Sequence, residues 1–486
     1  PGNYEVFYTQ PSSFNWQQIG QKIHGEYYPF YGDGTGLNVK LDSVGNTLLH
    51  GSHYNDQTAQ NAGSARSYSF DGVSWVQKGI DLDGEARSDE FGSDVSINTT
   101  GDNIIVGGYY NNYGQTVGDP RGHARVFSWQ NNAWVQKGSD IDGENAGDRS
   151  GISVSINSFG DVVSIGAPRN NSEAGHVRVF SFNGTSWVQM GQDIDGYEAS
   201  SGAYTNALNY SGNRLVVKAN REESLPSGLN LGKGYVKVYE YDGSQWQQMG
   251  QDILGENQGD GGADWWSRST VSINYLGDVI AIANQNNDGN GTGVYPDRYY
   301  GHVRVFSWDG SQWQQMGTDI DGSPSQNLGK EVELNGLGDK FIVSDGGGNA
   351  FVYEYSNAIN NWVQLGSTID SALAVSINYS GDIIAVGKQG VDYGIKILKN
   401  SSDSSSVNSC LEPLNITIAQ GTILGDTTVL SACDNYNWNG TILTTTGIYT
   451  DSLTATNGVD SLVFLDLTIT PSPTVDLGAD TTLICG

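Results

Sequence analysis

The stretch DGSQWQQMG occurs twice, at 242–250 and again at 309–317. A loop shaped for one substrate has no reason to recur, whereas a structural repeat does. Its Trp returns at Trp16, Trp75, Trp134, Trp187, Trp246, Trp313 and Trp362, seven copies spaced 49 to 67 residues apart. Each copy lies in a unit with four short β-like runs. In 152–191 these are ISVSIN, VVSIG, GHVRVF and WVQMG, separated by SFGD, a variable loop and SFNGTS. Runs of four to six residues divided by Gly, Asn and Asp predict strands and tight hairpins. No helical periodicity competes with them.

Four strands repeated seven times predict an all-β, seven-bladed β-propeller over 1–400, because a small sheet buries both faces only between two neighbours in a ring. We letter the strand positions A (VSIN type), B (IIAVG type), C (VRVF type) and D (WVQKG type). A/B pairs begin near 38, 94, 152, 205, 270, 331 and 373. The Trp opens each D strand and is expected to wedge between blades. C-type runs number eight, from YEVFY (4–8) to GIKILK (394–399). The hairpin 4–20 is expected to complete the last blade, leaving one C-like run surplus.

With 66 Gly, 11 Pro and 16% charged residues, the composition is that of a folded, turn-rich chain and not of an acidic disordered tail. The formal charge of −30 repels phosphate backbones and anionic lipid, so no nucleic acid and no membrane insertion are expected. No apolar run approaches the roughly 18 residues of a membrane span. The three cysteines, Cys410, Cys433 and Cys485, all lie in the last 77 residues. The propeller region is therefore no disulfide scaffold, and no CxxC metal motif exists.

Candidates for chemistry are few. His123, His176 and His302 share one repeat position, GH[AV]R, in three different blades, so they cannot form one site and suit a repeated strand-edge donor. His24 sits where other units carry Leu or Ile. His50 and His53 lie off the pattern with Asp56 near by, a weak metal candidate. The DIDG pairs Asp81/Asp83, Asp140/Asp142, Asp193/Asp195 and Asp319/Asp321 invite calcium, or else turn chemistry at the exit of strand D. No nucleophile elbow, HExxH or P-loop is present, and no catalytic residue is assigned.

The A–B and C–D turns are nearly uniform, whereas the B–C and D–A loops vary and open on one face. A rigid scaffold with one diversified face is the usual layout of a binding surface. That face would carry Tyr109, Tyr110, Tyr113, Trp265, Trp266, Tyr295, Tyr299 and Tyr300, aromatics outside the repeat pattern. They suit stacking on sugar rings or anchoring a protein; the alternative is loop tips packing on one another.

Units of the form GHVRVFSWDGSQWQQMGTDIDG followed by VSINYSGDIIAVG resemble the integrin-alpha-like (FG-GAP-related) propeller repeats of secreted proteins in marine Bacteroidota. The resemblance covers 4 to about 399. Calcium loops of that family lie between strands A and B, where this chain has only NYSGD or NSFGD, so calcium stays an open expectation and no cofactor is certain. After a linker at 401–409, residues 410–470 resemble an immunoglobulin-like β-sandwich of the adhesin repeats found in the same phylum. Such repeats carry Cys where Val459 stands, which removes the usual partner of Cys433; Cys410 is a candidate replacement, with the pairing left open. Residues 471–486 resemble the first strand of a further repeat, so a longer native protein is expected. DTT at 426 and 480 and DSL at 451 and 460 match the phylum's O-glycosylation pattern.

The resemblance implies an extracellular location at the cell surface, reached by type IX secretion. The first expectation for function is an adhesive, ligand-binding module of a large bacterial surface protein, recognising a glycan or protein on another cell. The second is a structural subunit that self-associates into a fibre or appendage. The third, a polysaccharide-active enzyme, lacks an off-pattern acid/base cluster, and no enzyme activity is expected.

Overall fold

The computed structural model describes residues 15–25, 33–112, 120–196, 205–219, 234–256, 270–287, 299–388 and 394–400, together with strands between 427 and 470. The chain divides into two units, 1–403 and 404–486.

The first unit is a seven-bladed β-propeller of antiparallel four-stranded blades. Blade 3 is representative: A is Ser153–Ile156, B Val162–Ala167, C His176–Phe182 and D Trp187–Gln189. A two-residue strand, Ile194–Asp195, then pairs back onto C. The A strands of blades 1 to 7 begin at Asn38, Asp94, Ser153, Thr205, Val271, Val332 and Ala374. In blade 7 strand C is Gly394–Asn400, and Trp16–Gln18 supplies strand D, pairing Trp16 with Asn400. The N-terminal segment thus closes the ring through strand D alone, while strand C comes from Gly394–Asn400 and not from the expected hairpin 4–20. With Gly394–Asn400 in the last C position all seven C positions are filled, so the surplus run is 4–8, which lies outside the described residues. Among them the helical content is one turn, Asn170–Glu173.

The repeat sequence dictates this packing residue by residue. B strands are buried along nearly their whole length, because neighbouring blades cover both their faces. Seven apolar clusters each draw on two adjacent blades, so the core is seven inter-blade cores. The cluster joining Val39 and Leu48 to Ala385 and Ile397 seals blade 7 onto blade 1. Backbones touch where these cores end. A Cβ on Gly107 would lie 1.9 Å from the Gly151 carbonyl of the next blade, so only Gly fits there.

DGSQWQQMG is now legible. Asp309 Oδ1 accepts the N–H groups of Ser311 and Gln312, both at 2.8 Å, and Gly310 follows at φ +99°. This Asx-capped turn launches strand D. Trp313 then inserts against blade 4 and donates its indole N–H to the Met249 carbonyl at 2.9 Å. The equivalent bond recurs from Trp75 to Ile19, Trp187 to Lys137, Trp246 to Met190 and Trp362 to Met316. Trp134 donates to Ser67 Oγ and the Lys78 carbonyl. A repeated Gln adds a second clasp: Gln251 accepts the Trp313 N–H and donates to its carbonyl, as Gln21 does for Trp75 and Gln192 for Trp246.

In the second unit Asp460–Thr470 pairs antiparallel with Gly447–Thr454 and parallel with Thr427–Cys433, and Tyr436–Trp438 pairs with Thr441–Leu443. These are two small sheets. The run LNITIA and the segments holding Cys410 and Cys485 lie outside the described residues.

Candidate ligand-binding site

The A strands line a central channel with a cavity of about 230 Å3. Their inner edges have no further strand to pair with, and side chains satisfy them instead. Alternate residues along the A strands, or just before them, present side chains that accept an N–H from the next blade. Asp94 accepts from Val154, Ser96 from Ile156, Ser155 from Leu208, Ser272 from Leu334 and Ser376 from Leu41. Glu331 accepts from Val375 at 3.0 Å, and Glu333 from Ile377 at 3.3 Å.

One end of the channel is shut. The first residues of the A–B turns form a circle in which each N–H donates to the carbonyl of the next blade. The links run Ser158 to Tyr210, Tyr275, Gly336, Tyr379, Ser43 and Thr99, at 2.9–3.2 Å. Asn98 Nδ2 completes the circle by donating to the Ser158 carbonyl. Tyr275 reaches across the axis to Thr99 Oγ1 at 2.6 Å and plugs the channel. Burial raises its phenol pKa above the ordinary value. Tyr210 and Tyr379 flank it at ring distances of 4.5 and 4.7 Å.

The same turns settle the fate of their single carboxylates. Asn335 Oδ1 accepts the Lys340 N–H and its Nδ2 donates to Asp339, a pattern repeated by Asn98, Asn157, Asn274 and Asn378. These Asp side chains brace a turn.

Charge gathers on one side of the channel. Lys40 is hydrogen-bonded to Glu333 and lies 3.8 Å from Glu331. Burial opposes the Lys40 charge, but Glu333 and Glu331 together outweigh it and raise its pKa. Glu331 is pushed up to about 7 by burial, against the pull of Lys40 and with a further push from Glu333. Motif searching does not find these residues. The signal lay in the repeat itself, since Lys40 and Glu333 stand where four other blades carry Ser.

The repeated histidines do not meet, as their spacing implied. Each sits in its own inter-blade cluster: Glu85–His123–Asp140, Glu144–His176–Asp193 and Glu256–His302–Asp319, with ligand-type atoms within 4.8 Å. An arginine supplies the cation in each, with Arg125, Arg178 and Arg304 3.7 Å from the respective Glu. His123 Nδ1 and His176 Nδ1 face Asp140 and Asp193 at 3.4 and 3.5 Å, the placement of a donating N–H. Asn284 Oδ1 takes Lys218, so its Nδ2 must donate to His302 Nε2 and the His302 proton sits on Nδ1. Burial, with help from Arg304 and Lys218, lowers the His302 pKa to about 3. The first Asp of each DIDG copy accepts from the strand-D Gln, as Asp81 does from Gln77 and Asp319 from Gln315. His50 is fully buried and lowered to about 4 by burial and Arg66.

Of the loop aromatics, Tyr113, Trp265, Trp266 and Tyr295 lie outside the described residues. Tyr109 is buried and packs edge-on against Tyr110 at 4.7 Å. Tyr110 stacks under Arg149 and accepts its N–H at 2.9 Å. These two are spent on packing between loops. Tyr299 is 41% exposed, and the Tyr299 and Tyr300 carbonyls accept the Asn327 and Leu328 N–H groups, so the next loop fixes their backbone.

No family model matches this chain, and no curated protein sequence matches it. Solved structures do. Hydrazine synthase of Kuenenia stuttgartiensis shares 10% identity at a TM-score of 0.52 over 78% of this chain and 99% of that one. A candidate 6-phosphogluconolactonase of Bacteroides uniformis shares 12% identity at a TM-score of 0.47 over 70% of this chain and 87% of that one. At such identities the likeness is one of fold, and the fold that it and the strand pairing establish is the seven-bladed β-propeller.

Proposed function

We propose that this chain is an extracellular, adhesive ligand-binding module of a bacterial cell-surface protein, without catalytic activity, and that it binds through the variable-loop face. One observation carries the reading: the two faces differ in kind. The constant face is locked by the backbone circle and the Tyr275 plug. The opposite end carries the charged wall, the diversified loops and the fixed Tyr299–Tyr300 pair. The second unit is read as an immunoglobulin-like spacer, in keeping with a surface protein, and the partner as a glycan or protein of another cell.

Tyr299→Ala with Tyr300→Ala is expected to weaken attachment to whole cells or a glycan array about tenfold, since an exposed anchoring aromatic is worth about 1–2 kcal/mol. Far-UV circular dichroism should stay unchanged. Undiminished attachment by this variant would remove these loops from the site.

A second reading, self-association into a fibre, draws on the turn tips Val44, Phe159, Leu276 and Leu337. They are 57, 57, 70 and 44% exposed around the plugged end. Light scattering on the purified chain separates the two: a monomer favours the first, an ordered assembly abolished by Leu276→Ser the second.

A further inference from the structure

We propose that the channel binds a small hydroxylated ligand carrying a primary ammonium group, the chemistry of an amino sugar with a free amine. This rests on the variable-loop face being the binding face, and it names what enters the channel there.

Charge is the first argument. Three carboxylates, Asp94, Glu331 and Glu333, face one cation, Lys40. Glu333 is satisfied by Lys40 and by the Ser376 hydroxyl at 2.8 Å. Asp94 accepts two backbone N–H groups, from Val95 and Val154. Glu331 Oε2 takes the Val375 N–H, while its Oε1 has only the Lys40 ammonium at 3.8 Å, beyond hydrogen-bond distance. The wall therefore holds excess negative charge with an acceptor to spare, which suits an incoming N–H donor of positive charge.

The second argument is independent of those carboxylates. Thr205 lines the channel on blade 4 and makes no side-chain hydrogen bond among the described residues, its hydroxyl being open to the channel and not sealed in the core. Ser272, 7% exposed, accepts the Leu334 N–H and has no acceptor for its own O–H. Hydroxyls that open on the channel can donate to whatever occupies it. The wall thus offers O–H donors on blades 4 and 5 and a carboxylate acceptor on blade 6. A molecule with both an ammonium group and hydroxyl acceptors answers both sides.

Size and geometry narrow the class. A cavity of about 230 Å3 is smaller than pockets for drug-sized ligands, so it admits one sugar ring and not a chain of them. A bare metal ion fits less well. Among the described residues, the groups of three whose ligand atoms converge within 4.8 Å are the histidine clusters, and Asp94, Glu331 and Glu333 are not among them.

The group that changes charge near neutrality is Glu331, faced by Lys40, Glu333 and Asp94. Protons and the ammonium compete for it, so binding weakens as pH falls below about 7.

The test is isothermal titration calorimetry of the full chain with glucosamine, N-acetylglucosamine and glucose at pH 7 and pH 5.5. Glucosamine should bind at least tenfold more tightly than the other two, and several-fold more weakly at pH 5.5. Glu331→Gln, which keeps the Val375 hydrogen bond, should cost tenfold or more, and Thr205→Val several-fold, with unchanged circular dichroism. The pH comparison uses the unaltered chain and so does not depend on a variant folding. Equal binding of the three sugars, no binding of glucosamine, or indifference to both pH and Glu331→Gln would overturn the inference. The Tyr299/Tyr300 double variant separates the two readings. Lost cell attachment with no amine preference refutes the channel and keeps the loops, and amine-selective binding with unchanged attachment does the reverse.

Discussion

Trp313→Ala should destabilise the propeller by about 3–5 kcal/mol, the range for truncating a buried Trp. Trp313 is 2% exposed within the core shared by blades 4 and 5. The substitution opens a cavity there and leaves the Met249 carbonyl without its indole donor. Trp313→Phe keeps most of the apolar surface and should cost less, about 1–2 kcal/mol above the loss of ring volume for the missing hydrogen bond. Trp187 occupies the same repeat position but is only half-buried, so Trp187→Ala should cost less than Trp313→Ala. Urea denaturation followed by far-UV circular dichroism measures all three. A Trp187 penalty as large as that of Trp313 would contradict the burial argument.

Lys40→Met should destabilise the chain by about 1–3 kcal/mol at pH 8, because it removes the cation that faces the partly buried Glu331 and Glu333. The penalty should shrink at pH 5. The folded-state pKa of Glu331, about 7, lies above its ordinary carboxylate value of 4.5. Between those two values the folded chain holds a proton that the unfolded chain has released. Stability from this group is therefore fully present at low pH and falls as pH rises through about 7. Without Lys40 the folded form holds that proton still more tightly, so acid rescues the variant more than the parent. Unfolding curves at pH 5 and pH 8 give the comparison, and an equal penalty at both would show that Lys40 acts by packing alone.

What the sequence makes legible here follows from the range of the interactions. Blade count, strand order and the role of the seven Trp come from contacts within one repeat or between one repeat and the next, and these recur in the text of the chain. The Asn–Asp turn brace and the Asp–Gly turn before strand D are likewise local, set within five residues. The count of A/B pairs gave the N-terminal closure of the ring, but not that 394–400 would take strand C and leave only 16–18 from the N-terminal segment. The channel site is of another kind. Lys40 and Glu333 lie 293 residues apart and meet only because the ring closes, and Tyr275 reaches Thr99 across three blades. Period and propensity carry no information about which side chains face one another across an axis. The histidine positions were visible as repeats, but their Arg and Glu companions come from different strands and emerge only when two blades are packed. Tyr109 illustrates the limit for loops: its departure from the repeat marks it as special, whereas its burial against Tyr110 depends on a loop conformation that the pattern does not encode.

Hydrogen exchange of the full chain, alone and with a bound cell-surface glycan, tests the asymmetry of the two faces most directly. The expected protection falls on the B–C and D–A loops and on the first A-strand residues, including Thr205 and Glu331, with Ser43, Phe159 and Leu276 on the plugged face unchanged. Protection confined to those A–B turns would contradict the account and place binding on the constant face.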